Sequence, residues 1–184
     1  MKKAFFSLLA LLLAVPLSLL AQKGKEELIS WSANKRLTWA DYKAKPDPNS
    51  DAAATTTTIL AVQYNFRNNQ FGYEIKSLFS RTRSWGLHKT DYILSHEQGH
   101  FDIAEVFARK LHKKLSEYKF NKRTYEKDLH KIYEEITDAK EEMQNKYDRE
   151  TRHSINKARQ ADWLDKIAEM LDKKGIRKIK ALSV

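Results

Sequence analysis

The hydrophobic period of this chain changes once, and that change sets the order of its elements. Thr55 to Phe66 is rich in β-branched and aromatic residues, and Phe71, Tyr73 and Ile75 alternate with Gly72, Glu74 and Lys76. A period of two is that of a half-buried strand. The two runs flank Arg67-Asn68-Asn69-Gln70, which predicts a hairpin. From Asp91 onward the spacing becomes threes and fours, the period of an amphipathic helix. Ala104, Ala108, Leu111, Leu115 and Tyr118 mark a first helix, and Tyr125, Leu129, Ile132, Ile136, Ala139, Met143 and Tyr147 a second. After a polar break at Asp148 to His153, a third runs through Ile155, Ala158, Ala161, Leu164, Ala168 and Leu171, with Gly175 at the C-cap position. A small antiparallel sheet followed by three helices is an α+β order.

The rest of the N-terminal half reads as covering and connecting structure. Lys45-Pro46-Asp47-Pro48-Asn49-Ser50-Asp51 is a turn-rich loop, and Leu37-Thr38-Trp39 with Asp41-Tyr42 supplies aromatics expected over one edge of the sheet. Ahead of them Lys2 and Lys3 precede an apolar run from Ala4 to Leu20 that ends in Leu19-Leu20-Ala21, the pattern of an export signal. Residues 1–21 are therefore expected to be removed, leaving 22–184 as one secreted or periplasmic domain. No other stretch is long and apolar enough to span a bilayer, so no stable membrane insertion is expected after cleavage.

The chain has no cysteine, which excludes disulfides, thiolate zinc sites and a cysteine nucleophile. A metal would have to be held by His, Asp or Glu. The formal charge is +10, but the basic residues are dispersed among acids along the helices. That pattern points to solubility and weak attraction to anionic envelope surfaces, and not to nucleic acid.

The chemistry lies in the first helix, where Ser95-His96-Glu97-Gln98-Gly99-His100 matches H-E-x-x-H, the two-histidine zinc motif. On a helix, His96 and His100 lie about 40° apart around the axis and roughly 6 Å apart along it, so both imidazoles can meet one ion. Glu97 projects to the adjoining side, within reach of a metal-bound water, the position of a general base. Gly99 weakens a helix interior, which predicts a close approach at that point. Glu105 lies about 180° from His96 on an unbroken helix and is expected to pair with Arg109 instead. Asp102 is placed to orient a zinc-bound imidazole from behind or to serve as an alternative ligand, the other reading being a solvated carboxylate. His88, His112 and His130 read as surface histidines, and Trp31, Trp39, Trp85 and Trp163 as packing.

A catalytic zinc usually takes three protein ligands and keeps an open position, so a third must come from elsewhere. The break after the second helix concentrates Asp148, Glu150 and His153. His153 is the expected third ligand, with Asp148 the alternative and Glu150 last, because neutral imidazole is a common zinc ligand and carboxylates are useful at a helix start.

Leu37 to Tyr42, Trp85, Leu94 to Glu105, Tyr147 to His153, Gln160 and Trp163 together resemble a bacterial family of predicted secreted zinc-dependent proteases, known as domain of unknown function 922. The chain has Ser154 where the family pattern has glycine. The resemblance implies a zincin-like metallopeptidase that binds Zn2+ and hydrolyses peptide or protein substrates, with Glu97 as base. An extended substrate would then pair with a sheet edge, for which Phe71 to Phe79 is the expected strand. The rival expectation is a non-catalytic zinc-binding or adhesion module of the cell envelope. A metal-free helical scaffold is the third.

Overall fold

The structure is a computed structural model that describes residues 26–67 and 70–172. The expected export signal and Gly175 lie outside these residues.

Thr90 starts the first helix, its hydroxyl accepting from the amide of Ile93 at 3.2 Å. From there α1 (Asp91–Glu117) runs for 27 residues, and its apolar face buries Ile103, Phe107, Leu111 and Leu115. The helix packs against both other helices and against the sheet. Truncating one of these side chains to alanine would cost about 2–5 kcal/mol. The second helix, α2 (Tyr125–Thr151), contributes Leu129, Ile136 and Tyr147 to the same core, and α3 (Lys157–Asp172) contributes Trp163 and Ile167.

The α+β expectation is met in its coarse form. The main sheet contains β1 (Leu28–Ser30), β3 (Thr58–Arg67) and β4 (Gln70–Ser80), all antiparallel, in the order β1-β4-β3. β3 and β4 form the expected hairpin, in register from Thr58 opposite Phe79 to Arg67 opposite Gln70. The strand expected as a free edge, Phe71 to Phe79, is instead the central one. Its β3 side is paired throughout, and Leu78 to Ser80 also pair with β1. A second ladder joins β2 (Ala54–Thr55) to β5 (Trp85–Gly86), and this ladder carries the chain past α1.

A short 3-10 turn at Trp39–Asp41 seats the upstream aromatics. Leu37 and Tyr42 are buried with Phe79 of β4 and Phe101 of α1, so they fill a second core instead of covering a sheet edge. Tyr42 meets Phe79 edge-on at 5.0 Å.

The largest departure from the expected elements lies between the last two helices. α2 does not stop at Tyr147 but continues through Asp148 to Thr151. Thr151 is fully buried and its hydroxyl donates to the carbonyl of Tyr147 at 2.8 Å, so the core face persists beneath the charged residues that suggested a break. The turn follows in Arg152, His153 and Ser154, with φ of 51°, 50° and 71°. Three successive non-glycine residues in the left-handed region are strained. Asn156 caps α3 through the amide of Arg159, at 3.2 Å, and Ile155 lies outside the helix at 70% exposure.

Candidate metal centre

The motif turn of α1 is buried on both sides, and each of its residues has its own environment. His96, Glu97 and Gln98 are each less than 5% exposed. Gly99 is required by the approach of α2, because a Cβ there would stand 2.6 Å from the hydroxyl and 2.9 Å from Cζ of Tyr147. That approach lets the Tyr147 ring stack on His96 at 4.5 Å with an angle of 19°. Its hydroxyl donates to the His96 carbonyl at 3.2 Å, and burial, then the charges of Glu97 and Asp148, hold its acidity far below that of an ordinary phenol.

One turn beyond Gln144, α2 presents Asp148. Its Oδ1 lies 3.1 Å from His96 Nε2 and 3.1 Å from His100 Nε2, and the two nitrogens are 3.3 Å apart. These three side chains can hold a metal ion. The spacing fits one: three donors 2.0–2.1 Å from a tetrahedral zinc ion lie about 3.3 Å from each other. The chemistry of the set also fits, two imidazoles and a carboxylate with no thiolate. Gln144 holds His100 from behind, accepting from Nδ1 at 2.6 Å and donating to the His100 carbonyl at 2.9 Å. In the neutral imidazole Nδ1 carries the proton for that bond, which leaves the Nε2 lone pair for a metal ion.

The electrostatics express the same convergence. Burial alone would lower the basicity of His100, but the Asp148 hydrogen bond and the charges of Glu97 and Asp148 outweigh it and push its pKa up to about 9. Burial would raise Asp148, but the hydrogen bonds from His100 and His96 hold its carboxyl well below the usual range. Two imidazoles and a carboxylate aimed at one point favour a positive charge there.

Glu97 lies beside the triad on the wall of a cleft of about 490 Å³. The side chain is 4% exposed, and its Oε2 has no hydrogen-bond partner among the described residues. A buried carboxylate oxygen without a donor is uncommon and often marks a reactive group. The same cleft is lined by Ala52 to Thr58, a segment that contains β2 and leads into the start of β3.

Of the residues expected at the site, His96, His100, Glu97 and Asp148 come together. His153 stands outside the triangle, at the mouth of the cleft, with its side chain 74% exposed and Nδ1 3.7 Å from Asp148 Oδ1. The extra turn of α2 is the reason: it places Asp148 on a helix face packed against α1 and leaves His153 in the corner beyond. Asp102 is not behind an imidazole. Its Oδ1 accepts from Trp31 Nε1 and Gln98 Nε2, both at 2.8 Å, while Gln98 Oε1 accepts from the amide of Leu37 at 2.8 Å. Asp102 and Gln98 thus fasten the side of α1 away from Asp148 to the N-terminal segment. Glu105 pairs with Arg109 at 2.9 Å, as expected. Glu150 accepts from Trp163 Nε1 and Arg159 at 2.8 Å and is occupied in holding α3. Gln144 was missed in the sequence, although its four-residue spacing from Asp148 puts the two on one helix face.

No curated protein and no solved structure matches this chain. Residues 28–154 match the family model described as bacterial protein of unknown function (DUF922), a span that takes in both ladders, the motif helix and α2. More than half of the chain is covered by that match, and the protein belongs to this family.

Proposed function

We propose that this protein is a zincin-like, zinc-dependent peptidase acting outside the cytoplasm. The observation that carries the reading is the donor triangle of His96, His100 and Asp148 with the buried, unpartnered carboxylate of Glu97 beside it in an open cleft. In this reading His96 Nε2, His100 Nε2 and Asp148 Oδ1 hold the zinc, and His153 is a residue of the cleft mouth. When bound, zinc supplies Lewis acidity, activating water and polarising a carbonyl.

The residues of the chain supply the rest. Glu97 takes a proton from water at its free oxygen and passes it to the leaving amine. Gln144 fixes the orientation of His100, and the Tyr147 ring fixes that of His96. Ala52 to Thr58 also line the cleft, and an extended peptide would lie against them.

The test is zinc content and peptide hydrolysis measured on the parent and on Glu97→Gln. The variant is expected to keep about one zinc per chain and to lose at least 100-fold in kcat. A parent that binds zinc but hydrolyses nothing would leave a zinc-binding envelope module, and a parent without zinc would leave a scaffold.

A further inference from the structure

β4 is only partly covered on the side that faces β1. β1 ends at Ser30, opposite Leu78, and the last bond along that side runs from the Trp31 amide to the Ser77 carbonyl at 2.9 Å. Successive residues of a strand turn their N–H and C=O groups to opposite sides. Ser77 faces β1, so Ile75, Tyr73 and Phe71 face the same way, while Gly72, Glu74 and Lys76 face β3. The amides and carbonyls of Phe71, Tyr73 and Ile75 have no hydrogen-bond partner on that side among the described residues. Six aligned backbone groups over about 14 Å are a template for one more strand. The template lies outside the cleft, since no residue of β4 lines it, so a peptide at the metal centre lies elsewhere.

The end of α3 stands beside this edge. The Arg109 guanidinium donates to the Leu171 carbonyl and sits over the Trp31 ring, 5.3 Å from its centroid, and Trp31 is the residue bonded to Ser77. Residues 173–184 follow directly and lie outside the described residues. Twelve residues reach at most about 40 Å, more than enough to run the length of the open edge. A segment that starts beside Ser77 and runs toward Phe71 is antiparallel to β4 and continues the line of β1. Its sequence suits an outermost strand. It has no proline, so every residue keeps an amide to donate, and Lys178 and Lys180 are of the type that blunts a sheet edge. A short tether also sets its effective concentration on the order of millimolar, which favours it over a second copy of the chain.

We infer that residues 173–184 pair as an added antiparallel strand with Phe71 to Ile75, so that the chain's own C-terminal segment closes the sheet edge that β1 leaves open. The test is amide hydrogen exchange at residue resolution, which needs neither zinc nor substrate. It compares the parent with a chain ending at Asp172 and with the full-length double variant Lys178→Pro/Ile179→Pro. Adjacent residues point opposite ways, so one of the two prolines removes a donor to β4 in any register. In the parent, the amides of Phe71, Tyr73 and Ile75 are expected to exchange about tenfold or more slowly than in either variant, at every protein concentration. The amides of Gly72, Glu74 and Lys76, which face β3, should stay protected in all three chains and show that the variants are folded. Equal exchange of Phe71, Tyr73 and Ile75 in the parent and the variants overturns the inference. Protection that falls on dilution of the parent, together with a dimer in solution, also overturns it and assigns the edge to a second copy.

Discussion

Gly99 illustrates how much a single atom decides at this site. Adding a Cβ places it 2.6 Å from the Tyr147 hydroxyl, and Tyr147 is fully buried and cannot retreat. Gly99→Ala, which would strengthen an exposed helix by about 1 kcal/mol, is expected here to destabilise the fold by about 1–3 kcal/mol, measured by urea unfolding. The same change should weaken zinc binding, because Tyr147 also positions the His96 ring. Ligand identity is tested at the same scale. Asp148→Asn is expected to lose stoichiometric zinc, whereas His153→Ala, with its imidazole outside the triangle, is expected to keep it. Metal analysis after dialysis against a mild chelator checks both, and loss of zinc only in His153→Ala would return the ligand role to the histidine.

At the scale of elements, the corner between α2 and α3 is the strained part of the molecule. Ser154 is held at φ 71° with little exposed surface, its carbonyl accepting from the Tyr92 hydroxyl at 2.7 Å. The His153 amide donates to the Asp148 carbonyl at 2.9 Å. These bonds fix the corner despite a backbone region that serine adopts with difficulty. Ser154→Gly is expected to stabilise the chain by about 1 kcal/mol, read as a higher urea midpoint at constant slope. A lower midpoint would mean that the serine side chain contributes more than the strain removes. The sequence shows the existence of these helices well, since Tyr125 to Tyr147 follow a regular three-and-four spacing. It shows their ends poorly. Asp148, Arg149 and Glu150 read as a polar break because their charges hide the burial of Thr151, which depends on packing against other elements.

For the whole molecule, metal and protons compete for the same donors. In the metal-free chain His100 has a pKa raised from 6.5 to about 9, so its contribution to stability is fully present below pH 6.5 and is lost as pH rises through 9. Asp148 is depressed from 3.8, so its contribution is present above pH 3.8 and lost as pH falls through the lowered value. The metal-free site therefore stabilises the fold most between about pH 4 and 6.5. Zinc needs the imidazoles neutral, so its stabilisation should grow with pH where that of the proton declines. The difference in Tm between zinc-loaded and chelated protein is expected to be larger at pH 8 than at pH 6. An equal or smaller difference at pH 8 would argue against binding through the two histidines.

The sequence by itself determined the order of sheet and helices, because hydrophobic period is a local property, and the common face of His96 and His100, because helix geometry follows from spacing. It also restricted any metal ligands to His, Asp and Glu, since the chain has no cysteine. Only the tertiary structure decided which residue completes the triangle. Asp148 and His153 are five positions apart and chemically able alike, and the choice turns on how far α2 extends and how closely it crosses α1 at Gly99. It also decided that β4 is the central strand, since pairing with β1 joins residues about 50 positions apart and no local pattern encodes that partner.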